Sequence, residues 1–269
     1  MAAFVDANRQ TILVSCDSYT GPALSRHLDV GIREMTAVST AAGLAAMGCR
    51  PIVLGLNTFL LTRALGQLRQ DVVHNRLPVI VVGKASGGLL RAMGPSHFLP
   101  DDLLLLRSLQ PMDVLCPTSP AGLFACLGDA LARTTPTYLR VGQLTDTSAA
   151  AETGPVRVTK PVATLVTAGD GVAAADAAKS RLRDVGVEVN LAVVGQLMPF
   201  DATALNSQDS IIIVFECDLI GLGDLIARCT ERPIAIFTWL STEGPGNPVA
   251  ALTIFVLQAL SRRRGQEPR

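Results

Sequence analysis

The feature that most constrains this chain is a regular alternation of short apolar runs with longer stretches of helical period. Runs at residues 11–15, 51–56, 78–83, 113–116 and 137–141 are bounded by turn residues and read as strands buried on both faces. Between them, residues 34–47, 58–74 and 119–132 carry helix-forming sequence. Strand and helix in alternation predict a doubly wound α/β sheet with helices on both faces.

The alternation stops and then resumes. Residues 143–161 are mostly small or polar, with little that packs, and this composition predicts an interdomain linker. Beyond it, strands are expected at 162–167, 188–194, 210–215 and 233–239, and helices at 172–185, 218–229 and 247–262. The expected organisation is two doubly wound α/β domains, 1–145 and 161–269, joined by a linker at 146–160. No repeat of fixed period points to a solenoid.

Composition narrows the function. The 269 residues carry 23 basic and 23 acidic side chains, so no broad basic field invites nucleic acid. The short Arg262-Arg263-Arg264 tail reads as a solvated terminus. A mean hydropathy of +0.38 with only 17% charged residues suggests surface buried against another chain, hence an oligomer. The most apolar stretch, 37–61, is interrupted by Arg50-Pro51 and does not read as a membrane span. Residues 1–10 hold Asp6 and Arg9 and do not read as a secretory signal. Six cysteines, Cys16, Cys49, Cys116, Cys126, Cys217 and Cys229, show no metal-ligand spacing and are expected to be buried thiols in a reducing cytoplasm.

Gly169-Asp170-Gly171 matches the opening of a thiamine diphosphate motif, but no asparagine pair closes it downstream, and Asn190 stands alone too early. The tripeptide therefore reads as a turn from strand into helix. No GxxxxGK[ST] and no GxGxxG after a strand is present, so the chain is not expected to hold a phosphate-bearing cofactor by itself.

A set of ordered motifs carries a family resemblance. Val30-Gly31-Ile32-Arg33-Glu34 is followed by Ala41-Ala42-Gly43-Leu44-Ala45 and Gly48-Cys49-Arg50-Pro51. Then come Phe59-Leu60 with Arg63, Gln67-Leu68-Arg69-Gln70-Asp71-Val72, Asn75-Arg76-Leu77-Pro78-Val79, Gly94-Pro95-Ser96-His97, Leu106-Arg107 and Pro111-Met112. In order and spacing these resemble the pyrimidine-binding domain of transketolases. Ala168-Gly169, Pro199-Phe200-Asp201 and the stretch from Glu216-Cys217 to Gly221-Leu222-Gly223 resemble the transketolase C-terminal domain more weakly. The N-terminal, diphosphate-binding domain has no counterpart. The chain thus resembles the C-terminal subunit of a split transketolase.

That resemblance implies a thiamine diphosphate enzyme completed by an N-terminal subunit, which holds the diphosphate and Mg2+, in an α2β2 heterotetramer. Activating this coenzyme takes a carboxylic group at pyrimidine N1′, and an apolar pocket favours the protonated form that can share its proton there. By resemblance Glu34 is that group. Phe59 is the aromatic expected to stack on the aminopyrimidine, with Leu60 in its place if the match is offset by one residue. Arg63 borders the ring or caps the interface. His97 faces the substrate and assists proton transfer, and Arg140 contacts a sugar phosphate. Taken singly, each has a plainer reading: Glu34 as an acid in a first helical turn, Phe59 as core, His97 as a loop histidine bonded to backbone. His27 and His74 match no catalytic position. The small residues Ala37, Ser39, Ala41, Ala42, Gly43, Ala45 and Ala46 would let their helix approach another closely.

Departures touch the substrate. Met93 stands where many transketolases have an aspartate and Ala85 where they have a histidine, while Lys84, Ser86 and Arg91 are candidates for an altered acceptor site, for an unusual ketose or a carrier-bound group. The expected activity is transfer of a two-carbon ketol unit from a ketose to an acceptor. A β subunit of a 2-oxo acid dehydrogenase and a non-catalytic scaffold are the alternatives.

Overall fold

The computed structural model describes residues 2–145, 162–206, 210–240 and 246–264. The linker expected at 146–160 lies outside the described residues. Strands β1 (Thr11–Ser15), β2 (His27–Asp29), β3 (Arg50–Leu56), β4 (Ile80–Lys84), β5 (Asp113–Leu115), β6 (Thr137–Val141) and β9 (Gln196–Met198) form one sheet in the order β2-β1-β3-β4-β6-β5-β9. All are parallel except β9, which runs antiparallel to β5. A second, wholly parallel sheet orders β11 (Ile234–Trp239), β10 (Ile211–Cys217), β7 (Ala163–Thr167) and β8 (Val189–Val193). The central strands are buried on both faces, which is why they read as unbroken apolar runs.

The helices are α1 (Ala2–Ala7), α2 (Glu34–Ala46), α3 (Asn57–Arg63), α4 (Leu65–Gln67), α5 (Asp102–Arg107), α6 (Pro120–Ala132), α7 (Gly171–Asp184), α8 (Thr203–Asn206), α9 (Leu222–Ala227) and α10 (Pro248–Arg264). The helix expected over 58–74 is broken. It leaves helical geometry at Ala64 (φ −107°, ψ 15°), beside the poor helix former Gly66, and resumes through α4 into a π-helical turn, Leu68–Val73. The Gly169-Asp170 turn leads from β7 into α7 as expected.

Each half has a hydrophobic cluster of its own, and a third cluster joins the two. Leu103, Leu106 and Leu109 at α5 pack in one cluster with Leu197, Leu219, Leu222 and Ile226 from the second half, all fully buried. Each such side chain contributes roughly 2 kcal/mol by leaving water. Gly221 (φ +100°) permits the close approach: a Cβ there would meet Leu104 Cδ2 at 2.6 Å. Polar ties reinforce the seam, with Ile220 N donating to Pro100 O at 2.7 Å and Cys116 N to Gly195 O at 2.7 Å.

Among the described residues, no helix is long and apolar enough to cross a membrane. All six cysteines are free; Cys16 and Cys116 are buried, but Cys229 is exposed, against the expectation of uniform burial, because it lies past the end of α9.

Candidate active site

The candidate residues gather where the parallel strands of the first sheet end. From β1 the chain crosses to β2 on one side and then, through α2, to β3 on the other, and the strands' carboxyl ends at such a reversal are the usual position for a ligand in these sheets. Glu34 opens α2 just after β2, Phe59 and Arg63 lie on α3 after β3, and His97 is on the loop after β4.

Their side chains form one line of contacts. Glu34 is 4% exposed, and Arg63 Nη1 lies 3.4 Å from its Oε1 and 3.3 Å from its Oε2. The Arg63 guanidinium is 3.8 Å above the Phe59 ring, a cation–π stack. Phe59 in turn meets His97 edge-on, with ring centroids 5.0 Å apart. His97 is fixed by Thr58 Oγ1 donating to its carbonyl at 3.0 Å and by Ser96 Oγ 2.9 Å from its Nδ1. Leu60 is fully buried beneath Gly55, so Phe59, not Leu60, faces this group. The thiol pKa of Cys16, just past β1, is pushed up to about 12 by burial and then by the charges of Glu34 and Asp29.

The donor set suits an aminopyrimidine. A buried carboxylate and an aromatic face already accept one flat, delocalised cation, the Arg63 guanidinium, and these are the two contacts such a ring requires. Among the described residues, no cluster of three or more His, Cys, Asp or Glu side chains is placed to hold a metal ion.

Arg140, expected from the resemblance to contact a sugar phosphate, lies apart from this group. Its side chain is fully buried, with Nε donating to Asp102 Oδ2 at 2.8 Å and Nη2 to Asp218 O at 3.1 Å. Burial opposes its charge, but Asp102, with help from Cys116 and Asp170, more than offsets that and holds the guanidinium above its ordinary range. Asp102 Oδ2 also accepts from Asn57 Nδ2 at 2.8 Å, and Asn57 Oδ1 from Tyr138 at 2.9 Å. Arg140 is a structural centre between the two sheets.

Lys84, Ser86 and Arg91 do not meet either. Lys84 Nζ donates to Ser18 O at 2.6 Å, Ser86 is buried, and Arg91 lines a separate cavity of about 470 Å3 with Asp170, Asp218 and Trp239. Met93 is exposed on the loop that carries His97. The small residues of α2 divide: Ala37, Ala41, Ala42 and Ala45 pack into the chain's own core, while Ser39, Gly43 and Ala46 face outward beside Met35 and Met47. His27 braces Ser15, its Nε2 lying 2.8 Å from the Ser15 hydroxyl, and His74 follows the π-helical turn.

Sequence reasoning missed the buried Asp102–Asn57–Tyr138 set and Asp170, whose carboxylate accepts from Gly88 N at 3.0 Å and Gln143 N at 2.9 Å. Burial pushes the Asp170 carboxyl up, partly offset by Arg140 and those two N–H groups. The only signal was the odd aspartate in an otherwise apolar or glycine-rich setting.

Residues 8–144 match the family described as the pyrimidine-binding domain of transketolase. A 1-deoxy-D-xylulose-5-phosphate synthase of Treponema pallidum is 37% identical over 145 residues, 52% of this chain and 23% of that protein. The synthase of Prochlorococcus marinus is 40% identical over 116 residues, 43% of this chain and 18% of its own length. The chain spans about a quarter or less of these relatives. In structure it is similar to a split-gene transketolase, an inactive β4 tetramer, with a TM-score of 0.79, 20% identity, and coverage of 97% of this chain and 95% of that one. A Pichia stipitis transketolase matches with a TM-score of 0.80 and 17% identity, over 97% of this chain and 44% of that one. Since the matching domain takes in half the sequence and the fold agrees over nearly all that remains, the chain belongs to the transketolase family.

Proposed function

We propose that this chain is the pyrimidine-binding and C-terminal subunit of a two-component, thiamine diphosphate-dependent transketolase-like enzyme, transferring a two-carbon ketol unit from a ketose to an acceptor. The observation that carries the reading is the single line of contacts from Glu34 through Arg63 and Phe59 to His97. Bound at this site, thiamine diphosphate supplies the electron sink for breaking a carbon–carbon bond beside a carbonyl. Glu34 holds a proton at pyrimidine N1′, and its burial keeps water from competing. Phe59 would offer its ring face to the pyrimidine, and Arg63, which now holds both the carboxylate and that face, would border it. His97, held by Thr58 and Ser96, faces the substrate as a proton carrier and hydrogen-bond donor.

The partner is an N-terminal, diphosphate-binding subunit that also brings Mg2+, in an α2β2 heterotetramer. The outward face of α2 supports this: Ile32 is 67% exposed just before it, Met35 53% on it and Met47 74% at its end, around the small Ser39, Gly43 and Ala46. A reducing cytoplasm suits six unpaired thiols.

A second reading, a deoxyxylulose-phosphate-forming synthase, draws on the 37% identity of the first domain to proteins of that name. Reconstitution with the partner separates the two by product: a ketose lengthened by two carbons against a deoxyketose formed with release of CO2. In the active complex Glu34→Gln should abolish turnover, by about 100-fold or more, while assembly measured by light scattering stays intact. Unchanged turnover would remove Glu34 from the chemistry and the proposal with it.

A further inference from the structure

Helix α2 starts at Glu34 without the device that normally fixes a helix start. Its N-cap position is Arg33 (φ −140°, ψ 69°), which provides no side-chain hydrogen bond to the first turn. A carboxyl group on the first helical residue is then only as well placed as the backbone leading to it. The fold provides that placement from a neighbouring strand.

We infer that Asp29, braced by Ser15, is a positioning residue that sets where Glu34 sits; this rests on the proposed role of Glu34. Asp29 Oδ1 accepts from Gly31 N at 2.7 Å and from Asp17 N at 3.3 Å, and Oδ2 accepts from the Ser15 hydroxyl. Ser15 also takes Val30 N on its carbonyl at 2.9 Å, so one residue of β1 grips both sides of the turn. From Gly31, whose φ of +68° turns the chain, the relay continues: Gly31 O accepts from Arg33 N at 2.7 Å, and Arg33 O accepts the helical bond from Ala37 N at 3.0 Å. The Arg33 side chain closes the loop by donating to Val30 O at 3.2 Å. The backbone between the buried strand and Glu34 is thus tied by hydrogen bonds at Val30, Gly31 and Arg33. The Ser15 hydroxyl, then the Gly31 and Asp17 N–H groups, hold the Asp29 carboxyl below its ordinary range, as for a carboxylate that keeps these bonds throughout neutral pH.

Asp29 touches neither the carboxyl it serves nor the place of the coenzyme, so its effect must appear in proton transfer rather than in coenzyme affinity. The readout is the rate at which the thiazolium C2 proton of bound thiamine diphosphate exchanges with D2O in the complex with the partner subunit. Asp29→Ala should slow exchange about 10- to 100-fold, the cost of a displaced catalytic group, with coenzyme affinity and assembly unchanged. Asp29→Asn, whose side-chain oxygen still accepts from Gly31 N, should restore most of the rate. If Asp29→Ala prevents assembly, Ser15→Ala takes its place, since it leaves the turn's backbone bonds intact and removes only the hydroxyl's bonds to Asp29 and His27; it should slow exchange severalfold. Wild-type exchange in Asp29→Ala, or in Ser15→Ala where that variant decides, overturns the inference, as does an Asn variant as slow as Ala. Glu34→Gln run alongside keeps the two claims apart: unchanged exchange in that variant defeats the proposed function itself, whereas loss there with normal exchange in Asp29→Ala defeats only the positioning role.

Discussion

Two arginines of similar promise in the sequence end in opposite situations. Arg63 is 45% exposed and lends its charge to a buried carboxylate and an aromatic face, so it can withdraw at modest cost. Arg140 is enclosed, and withdrawing it would leave the buried Asp102 with Asn57 but without its cation. Replacement of Arg140 by leucine should therefore lower the stability of the subunit by about 3–5 kcal/mol in urea titrations. A residue that merely touched a sugar phosphate would leave the denaturation midpoint in place and raise KM instead. What distinguishes the two arginines is burial, and nothing in Thr-Tyr-Leu-Arg-Val-Gly-Gln announces that Arg140 faces an aspartate from a helix almost 40 residues away.

At the scale of elements, strands β1 and β6 fall where the apolar runs predict, because a parallel strand buried on both faces has no other composition available. The elements that were not legible are short or bonded at a distance: β2, β9 and α5 owe their places to pairing and packing rather than to local propensity. β9 is the clearest case, a three-residue strand that leaves its own half of the chain to finish the other sheet. Helices α5 and α9 are also tied across the seam, by Arg107 Nη1 to Asp224 Oδ2 at 2.5 Å. Arg107 and then Arg228 hold the Asp224 carboxyl below its ordinary range. A depressed folded-state value contributes stability above the unfolded carboxyl value, near pH 4, and that contribution is lost as pH falls through the folded value. Asp224→Asn should accordingly lower stability at neutral pH and flatten the acid limb below about pH 4, the difference from the wild type vanishing at the acid end. An unchanged acid limb, measured by denaturation across pH, would show that the bridge does not bind the two helices.

For the molecule as a whole, the proposed function has a partner complete the site. Glu34, Phe59 and His97 gather in one line of contacts, and no diphosphate-binding motif is recognisable in the 269 residues. Titrated alone with thiamine diphosphate and Mg2+, the chain should show no saturable binding by calorimetry, and binding should emerge when the partner is added; tight binding to the chain by itself would contradict the division of labour. By itself the sequence determined the alternation of strand and helix, the two-sheet plan, and the motif residues Glu34, Phe59, Arg63 and His97, because periodicity and short motifs are local properties. Only the tertiary structure decided that these four touch, that Arg140 is buried against Asp102 apart from them, and that Asp29 and Ser15 bond the turn before α2. Those outcomes depend on burial and on bonds between residues distant in the chain, and neither is written in any one segment.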